Sequence, residues 1–298
     1  MSIRGEKKSV KICANLWTTK MKKILKSFEK YKKEQNLPST RYLWLEAAKK
    51  VYAEIQKRPK QHQADQTAED PTIDKSLISI IKPYAMETNL FKVLRGKILF
   101  PVTGKPPRSL MVTSAVPGEG KSFIASNLAV NLAQNIAEYV LLVDCDLRRP
   151  SIHQRFGFGK VKGLSEHLSN GTELSNLLLK TVVEKLTLLP AGQPPLNPSE
   201  ILSSAKMADL IDELKSRYDD RYLIFDSPPP LLAPETSAIA KRVDGIIVVI
   251  KYGDTSFKLV EQMIDDLGEE KILGVVLNRF NSHTFGYYYG YRKYSKYY

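Results

Sequence analysis

At 298 residues, with 43% apolar side chains and two cysteines, the chain is long enough for one large domain or two small ones and is not a disulfide scaffold. Its net charge of +13 is uneven: residues 1–60 hold 14 Lys and 3 Arg against 5 Glu, or +12, and residues 281–298 add +3, which leaves 61–280 near −2. A nearly neutral body argues against a nucleic-acid partner, and no run of 18 or more apolar residues or signal-peptide pattern is present, so the chain reads as cytoplasmic and peripheral to the inner face of the plasma membrane.

Residues 1–56 form a basic leader. Within it Met21–Glu34 is an amphipathic, Lys-rich stretch, which reads either as a solvated helix face or as a contact of residues 1–60 with anionic lipid. Residues 57–76 are polar, aperiodic and carry prolines, so they read as a linker to a domain spanning 77–280.

From there apolar runs alternate with helical patterns. The strand candidates are 110–113, 139–143, 186–189, 222–225, 245–251 and 272–277. They are almost continuously apolar rather than alternating, as strands covered on both faces are. The predicted fold is therefore α/β: a doubly wound, mostly parallel sheet with helices on both faces.

Between the first of these strands and a helical pattern lies Ser114-Ala115-Val116-Pro117-Gly118-Glu119-Gly120-Lys121-Ser122. In a phosphate-binding loop of this kind (the P-loop NTPase pattern), backbone N–H groups around Gly118 to Lys121 face phosphate oxygens. Lys121 reaches the β- and γ-phosphates and the Ser122 hydroxyl ligates Mg²⁺. Ala115 stands where such loops have their first glycine. The nucleotide-contacting set is Ala115, Gly118, Glu119, Gly120, Lys121, Ser122 and Phe123.

The second strand runs into Asp144-Cys145-Asp146-Leu147-Arg148, and the fourth ends at Asp226. Ligands of open α/β sheets bind at the carboxyl edge, so these aspartates are expected to converge on the loop although Asp144 and Asp226 are about eighty residues apart. Carboxylates beside phosphates imply Mg²⁺. Phosphoryl transfer needs a metal, positive charge and a carboxylate to orient the acceptor hydroxyl, which Lys121, the ion, and Asp144 or Asp146 can supply. Cys145 reads as a small buried filler. The chain ends in a tail, 281–298, that holds seven of its fifteen tyrosines: Tyr287, Tyr288, Tyr289, Tyr291, Tyr294, Tyr297 and Tyr298. Phenols beside a phosphoryl-transfer site read as its substrate.

This combination resembles the bacterial tyrosine kinases of capsule and exopolysaccharide synthesis. The resemblance runs from about residue 80 to the end. It includes the phosphate loop, Asp144-x-Asp146-x-Arg148, Arg149-Pro150-Ser151-Ile152-His153, Gly163-Leu164-Ser165, Asn197-Pro198-Ser199-Glu200, Asp226-Ser227-Pro228-Pro229 and Gly274-Val275-Val276-Leu277-Asn278. It implies an ATP-dependent autokinase that phosphorylates the seven tail tyrosines, with Lys121, Asp144, Asp146 and Arg148 as its catalytic set, Ser122, Asp146 and Asp226 as Mg²⁺ ligands, and Asn278 against adenine. It also implies a homo-oligomer in which one tail enters a neighbour's site, and a separate membrane-embedded chain-length regulator as activator. The family's Glu-x-x-Arg-x-x-Arg helix is here Asn89-x-x-Lys92-x-x-Arg95, which weakens or shifts the charge pairing that assembles such rings. The rival reading is a positioning or partition ATPase of the same superfamily. Those carry a signature lysine at the second position of the loop, which here is Val116.

Overall fold

The structure is a computed structural model, and it describes the backbone of residues 9–13 together with residues 73–101, 104–135, 137–217 and 220–280. The leader's amphipathic stretch, most of the linker and the tyrosine-rich tail lie outside the described residues. In chain order the elements are β1 (Ser9–Cys13), α1 (Ile78–Ile81), α2 (Met86–Leu99), β2 (Ser109–Ser114), α3 (Lys121–Ala133), β3 (Tyr139–Asp144), α4 (Ile152–Arg155), α5 (Leu164–Asn170), β4 (Leu179–Lys180), β5 (Leu186–Leu189), α6 (Pro198–Ser203), α7 (Ala205–Arg217), β6 (Arg221–Asp226), α8 (Thr236–Arg242), β7 (Gly245–Lys251), α9 (Phe257–Leu267) and β8 (Ile272–Phe280).

The strands form one sheet in the order β1-β8-β7-β2-β6-β3-β5-β4. The six inner strands are parallel, and the two outer ones, β1 and β4, run antiparallel to β8 and β5. The predicted α/β sheet is therefore present, and each of its six predicted strands agrees with an observed one to within three residues at either end. Sequence reading did not assign β1 or β4.

Alternation sends Leu110, Val112, Val140, Leu142, Ile224, Ile247 and Val249 to one face, where they bury against α2 and α3. The intervening residues, Met111, Leu141, Leu223, Phe225, Ile246 and Val248, are equally buried on the opposite face. There α7, α8 and α9 pack on one another through Met207, Leu210, Ile239, Val260 and Met263. Helix α3 is buried from Ser122 to Ala133 except at Phe123, as a helix enclosed by its own domain must be.

The burial of α3 extends to polar groups, and two of its asparagines tie the helix to its surroundings. Asn127 accepts from the Ser79 N–H at 3.0 Å and donates to the Ser76 carbonyl at 2.9 Å, while Asn131 donates to the Ser79 hydroxyl at 2.6 Å. Phe91 of α2, fully buried, meets Phe123 edge-on with ring centroids 5.9 Å apart. Truncating such a phenyl ring to alanine costs about 3 to 5 kcal/mol, so α2 is firmly joined to the helix that carries the phosphate loop. Among the described residues, no helix is long and apolar enough to cross a membrane.

Candidate active site

The carboxyl ends of β2, β6 and β3 are neighbours, so sheet order alone brings the loop after β2 beside Asp226 and Asp144. The register pairs Asp144 directly with Asp226, and Val112 with Asp226 on the other side. Gly120 caps α3 in the left-handed region at φ 97°. A Cβ there would lie 2.1 Å from the Asn278 amide nitrogen, so both backbone angle and space require glycine. The first turn of α3 then projects Lys121 over the sheet edge.

Lys121 Nζ is 2.7 Å from Asp146 Oδ2 and 3.8 Å from Asp226 Oδ2, and it reaches Ser122 Oγ at 3.3 Å. Burial works against its charge, but the three carboxylates outweigh that and hold Lys121 above the ordinary lysine range. Asp144 is fully enclosed. Its Oδ1 accepts from the Asp146 N–H at 3.1 Å, and Oδ2 from the Ser151 and Ile152 N–H groups at 3.3 and 3.2 Å.

Burial and then the Asp226 charge push the Asp144 carboxyl up to about 7, against the pull of Lys121 and the Ile152 N–H. Burial raises Asp226 as well, against Lys121 and the Ser122 hydroxyl that faces it. The two Asp226 oxygens nevertheless accept no hydrogen bond of ordinary length within the protein. A fully buried carboxylate with unfilled lone pairs normally accepts hydrogen bonds, whereas here the Lys121 ammonium stands at 3.8 Å, beyond hydrogen-bond reach. Asp146, 8% exposed, is the member of the trio nearest to solvent. Burial and the adjacent Asp144 raise the Cys145 thiol, which keeps it protonated and inert, as its reading as a filler requires.

The pattern of the CobQ/CobB/MinD/ParA nucleotide binding domain matches residues 110–290. Tyrosine-protein kinase YwqD of Bacillus subtilis (strain 168) is 33% identical over 221 residues, which cover 72% of this chain and 92% of that protein. The chain belongs to the bacterial tyrosine kinases. Tyrosine-protein kinase wzc of Salmonella typhimurium is 31% identical over 73% of this chain, but the match takes in only 30% of that longer protein. Among solved structures, the chimerical protein CapA2B2 superposes with a TM-score of 0.63 at 34% identity, covering 70% of this chain and 93% of that one. This bacterial tyrosine kinase domain therefore carries a nucleotide-binding phosphate loop on a P-loop NTPase fold.

The predicted site residues do not all converge. Lys121, Ser122, Asp144, Asp146 and Asp226 converge, and Gly118 (φ 82°) and Gly120 shape the loop above them. Arg148 is drawn aside: its guanidinium donates to Glu235 Oε1 at 2.8 Å and to the Ser199 hydroxyl at 2.6 Å, linking the turn after β3 to the starts of α6 and α8. Asn278, 5% exposed, donates to the Glu119 carbonyl at 2.7 Å and so holds the loop's backbone. Ala115 is fully buried, and Phe123 packs into the core. The tail tyrosines lie outside the described residues.

Sequence reasoning missed Glu235 and Thr255, which partner Arg148 and Glu119. Neither sits in a recognisable pattern. The one available signal was chemical: a glutamate between two glycines of an anion-binding loop has to carry its charge somewhere other than the anion.

Proposed function

We propose that the protein transfers the γ-phosphoryl group of ATP to tyrosines of its own segment 281–298, Tyr287, Tyr288, Tyr289, Tyr291, Tyr294, Tyr297 and Tyr298, presented by a neighbouring copy. The observation that carries this reading is the buried lysine flanked by Asp146 and Asp226 at the mouth of the phosphate loop, in a chain with seven tyrosines in its last eighteen residues.

The loop N–H groups and Lys121 bind the phosphates and take up the charge that spreads over the γ-oxygens as transfer proceeds. The phenol oxygen bonds to the γ-phosphorus as the bond from that phosphorus to the β,γ-bridging oxygen breaks. The phenolic proton passes to a carboxylate. Asp146 is the one open enough to meet an acceptor, while Asp144, held behind it by three backbone N–H groups, fixes its turn. Enclosure of the trio removes competing water and strengthens each of these interactions.

Ser122, Asp146 and the unfilled oxygens of Asp226 suit an Mg²⁺ ion, although among the described residues no group of three or more His, Cys, Asp or Glu is preformed as a metal site. That combination is usual for Mg²⁺, which takes one or two carboxylates and completes its shell with phosphate and water. When bound, the ion neutralises charge on the phosphates.

Two further points of the reading concern partners. A separate membrane-embedded chain-length regulator is the activator this reading assigns, on the resemblance to the kinases of capsule and exopolysaccharide synthesis. The +12 of residues 1–60 favours contact with the anionic inner face of the plasma membrane, at about 1 kcal/mol per basic residue close to the surface. Each phosphotyrosine adds about −1.5 to −2 charge, so a few of them overturn the tail's +3 and would release a neighbour or partner, regulating polymer export.

The test is incubation with Mg²⁺ and γ-labelled ATP, beside Lys121→Met and a chain ending at Phe280, with the label mapped by mass spectrometry. Label on Tyr287 to Tyr298 that both variants lose supports the autokinase. ATP hydrolysis without tyrosine label, even with the regulator's cytosolic segment added, would replace it with a switch ATPase.

A further inference from the structure

The side chain of Glu119 has no place in the mechanism above, yet it is among the best satisfied groups of the domain. It is 1% exposed although it lies between two loop glycines. Its Oε2 accepts from the Val116 N–H at 2.9 Å, within the loop itself. Its Oε1 accepts from the Lys251 N–H at 3.1 Å, at the end of β7, and from the Thr255 hydroxyl in the turn that leads to α9. One carboxylate thus joins the first half of the phosphate loop to an element more than 130 residues later in the chain. The loop's second half is held by a different strand, through the Asn278 amide on the Glu119 carbonyl.

A carboxylate turned toward phosphate would repel it. Turned inward, the same charge organises the Val116 and Lys251 N–H groups and the Thr255 hydroxyl instead. We infer that Glu119 and Thr255 form a brace that positions the phosphate loop before ATP arrives, so that nucleotide affinity in this enzyme depends on the β7–α9 turn. Both are positioning residues: their side chains bond to each other and to the backbone, and they act through the loop they hold.

The inference rests on ATP being the ligand of this loop, as in the proposed function. A braced cradle avoids the ordering that a loose loop requires when ligand binds, which raises affinity without new contacts. The effect should therefore fall on nucleotide binding and leave the transfer step, set by Lys121 and the aspartates, nearly unchanged. Thr255→Val keeps the shape of the side chain and removes the hydroxyl. Glu119→Gln keeps the size and removes the charge, and places an amide against a backbone donor. Thr255→Ser keeps the hydroxyl.

The experiment uses the full chain and measures three quantities for each variant: Kd for a fluorescent ATP analogue with Mg²⁺, KM and kcat for ATP in phosphotyrosine formation, and the melting temperature without nucleotide. Thr255→Val and Glu119→Gln are expected to raise Kd and KM about tenfold with kcat within about threefold of the parent. Thr255→Ser should return both constants to the parent's values, and the double variant should be no worse than Glu119→Gln alone, because the two groups act as one unit. An unchanged Kd with a lowered melting temperature would make the contact purely structural and overturn the inference. So would independent, multiplying effects in the double variant, or Thr255→Ser behaving like Thr255→Val. If the parent binds nucleotide and labels no tyrosine, the kinase reading fails while the Kd comparison still decides the brace.

Discussion

Asp144 lends itself to a quantitative test because its environment sets a pH dependence of known sign. In the native protein its carboxyl is pushed up to about 7 from an ordinary value of 3.8, chiefly by burial and by Asp226. Below 3.8 both native and unfolded chains hold the proton and nothing is lost. As pH rises from 3.8 toward 7 the unfolded chain ionises first, so stability falls, and the loss is complete above about 7. Across the span from pH 5 to pH 8 this single group removes roughly 2 to 3 kcal/mol of stability, at about 1.4 kcal/mol per pH unit over the part of the span where the native state still holds the proton.

Asp144→Asn abolishes that titration. The amide sacrifices part of the acceptance from the Asp146, Ser151 and Ile152 N–H groups, a cost of about 1 to 3 kcal/mol that does not vary with pH. Urea unfolding of parent and variant at pH 5 and pH 8 separates the two effects. The variant should gain on the parent by roughly 2 to 3 kcal/mol between the two pH values, whatever its offset at pH 5. A difference that is constant with pH would show that Asp144 is already ionised at pH 5, and the description of the aspartate trio as an electrostatically crowded, dehydrated cluster would be wrong.

Three further outcomes follow from the same geometry. Asp226→Asn removes a buried charge that accepts no hydrogen bond, so the nucleotide-free melting temperature should hold or rise while the extra stabilisation conferred by Mg²⁺-ATP disappears, as differential scanning calorimetry reads directly. Gly120→Ala forces a side chain into a backbone at φ 97° and against the Asn278 amide, a strain of about 1 to 2 kcal/mol before the clash, and should weaken ATP binding by tenfold or more in equilibrium titration. Lys121→Met should reduce tail phosphorylation by about a hundredfold or more, through loss of the cation that meets the γ-phosphate, with the fold retained by circular dichroism.

Much of this was written locally in the chain. The runs at 186–189 and 245–251 coincide with β5 and β7 because strands covered on both faces have to be continuously apolar, and that leaves few other readings. The aspartates were legible for a similar reason, since Asp144 and Asp226 each end such a run and Asp146 follows two residues on. Strand β4 has two residues, too few for any periodicity, and β1 exists through antiparallel pairing with β8 far along the chain, so neither left a local mark. The inward turn of Glu119, the capture of Arg148 by Glu235, and the use of Asn278 to hold the loop are contacts between distant segments. Apart from the misplaced charge of a glutamate between two loop glycines, residue type and spacing carry no record of them.

Whether this phosphate loop serves tyrosine transfer or a hydrolytic switch is decided by the ratio of ADP released to phosphotyrosine formed. It should be measured over time for the parent and for a chain in which all seven tail tyrosines are phenylalanine. A tyrosine kinase acting on its own tail should form about one phosphotyrosine for each ADP, halt as the tail fills, and release almost no ADP in the phenylalanine variant. Continued ADP release that ignores the tail, equal in both proteins, would contradict it.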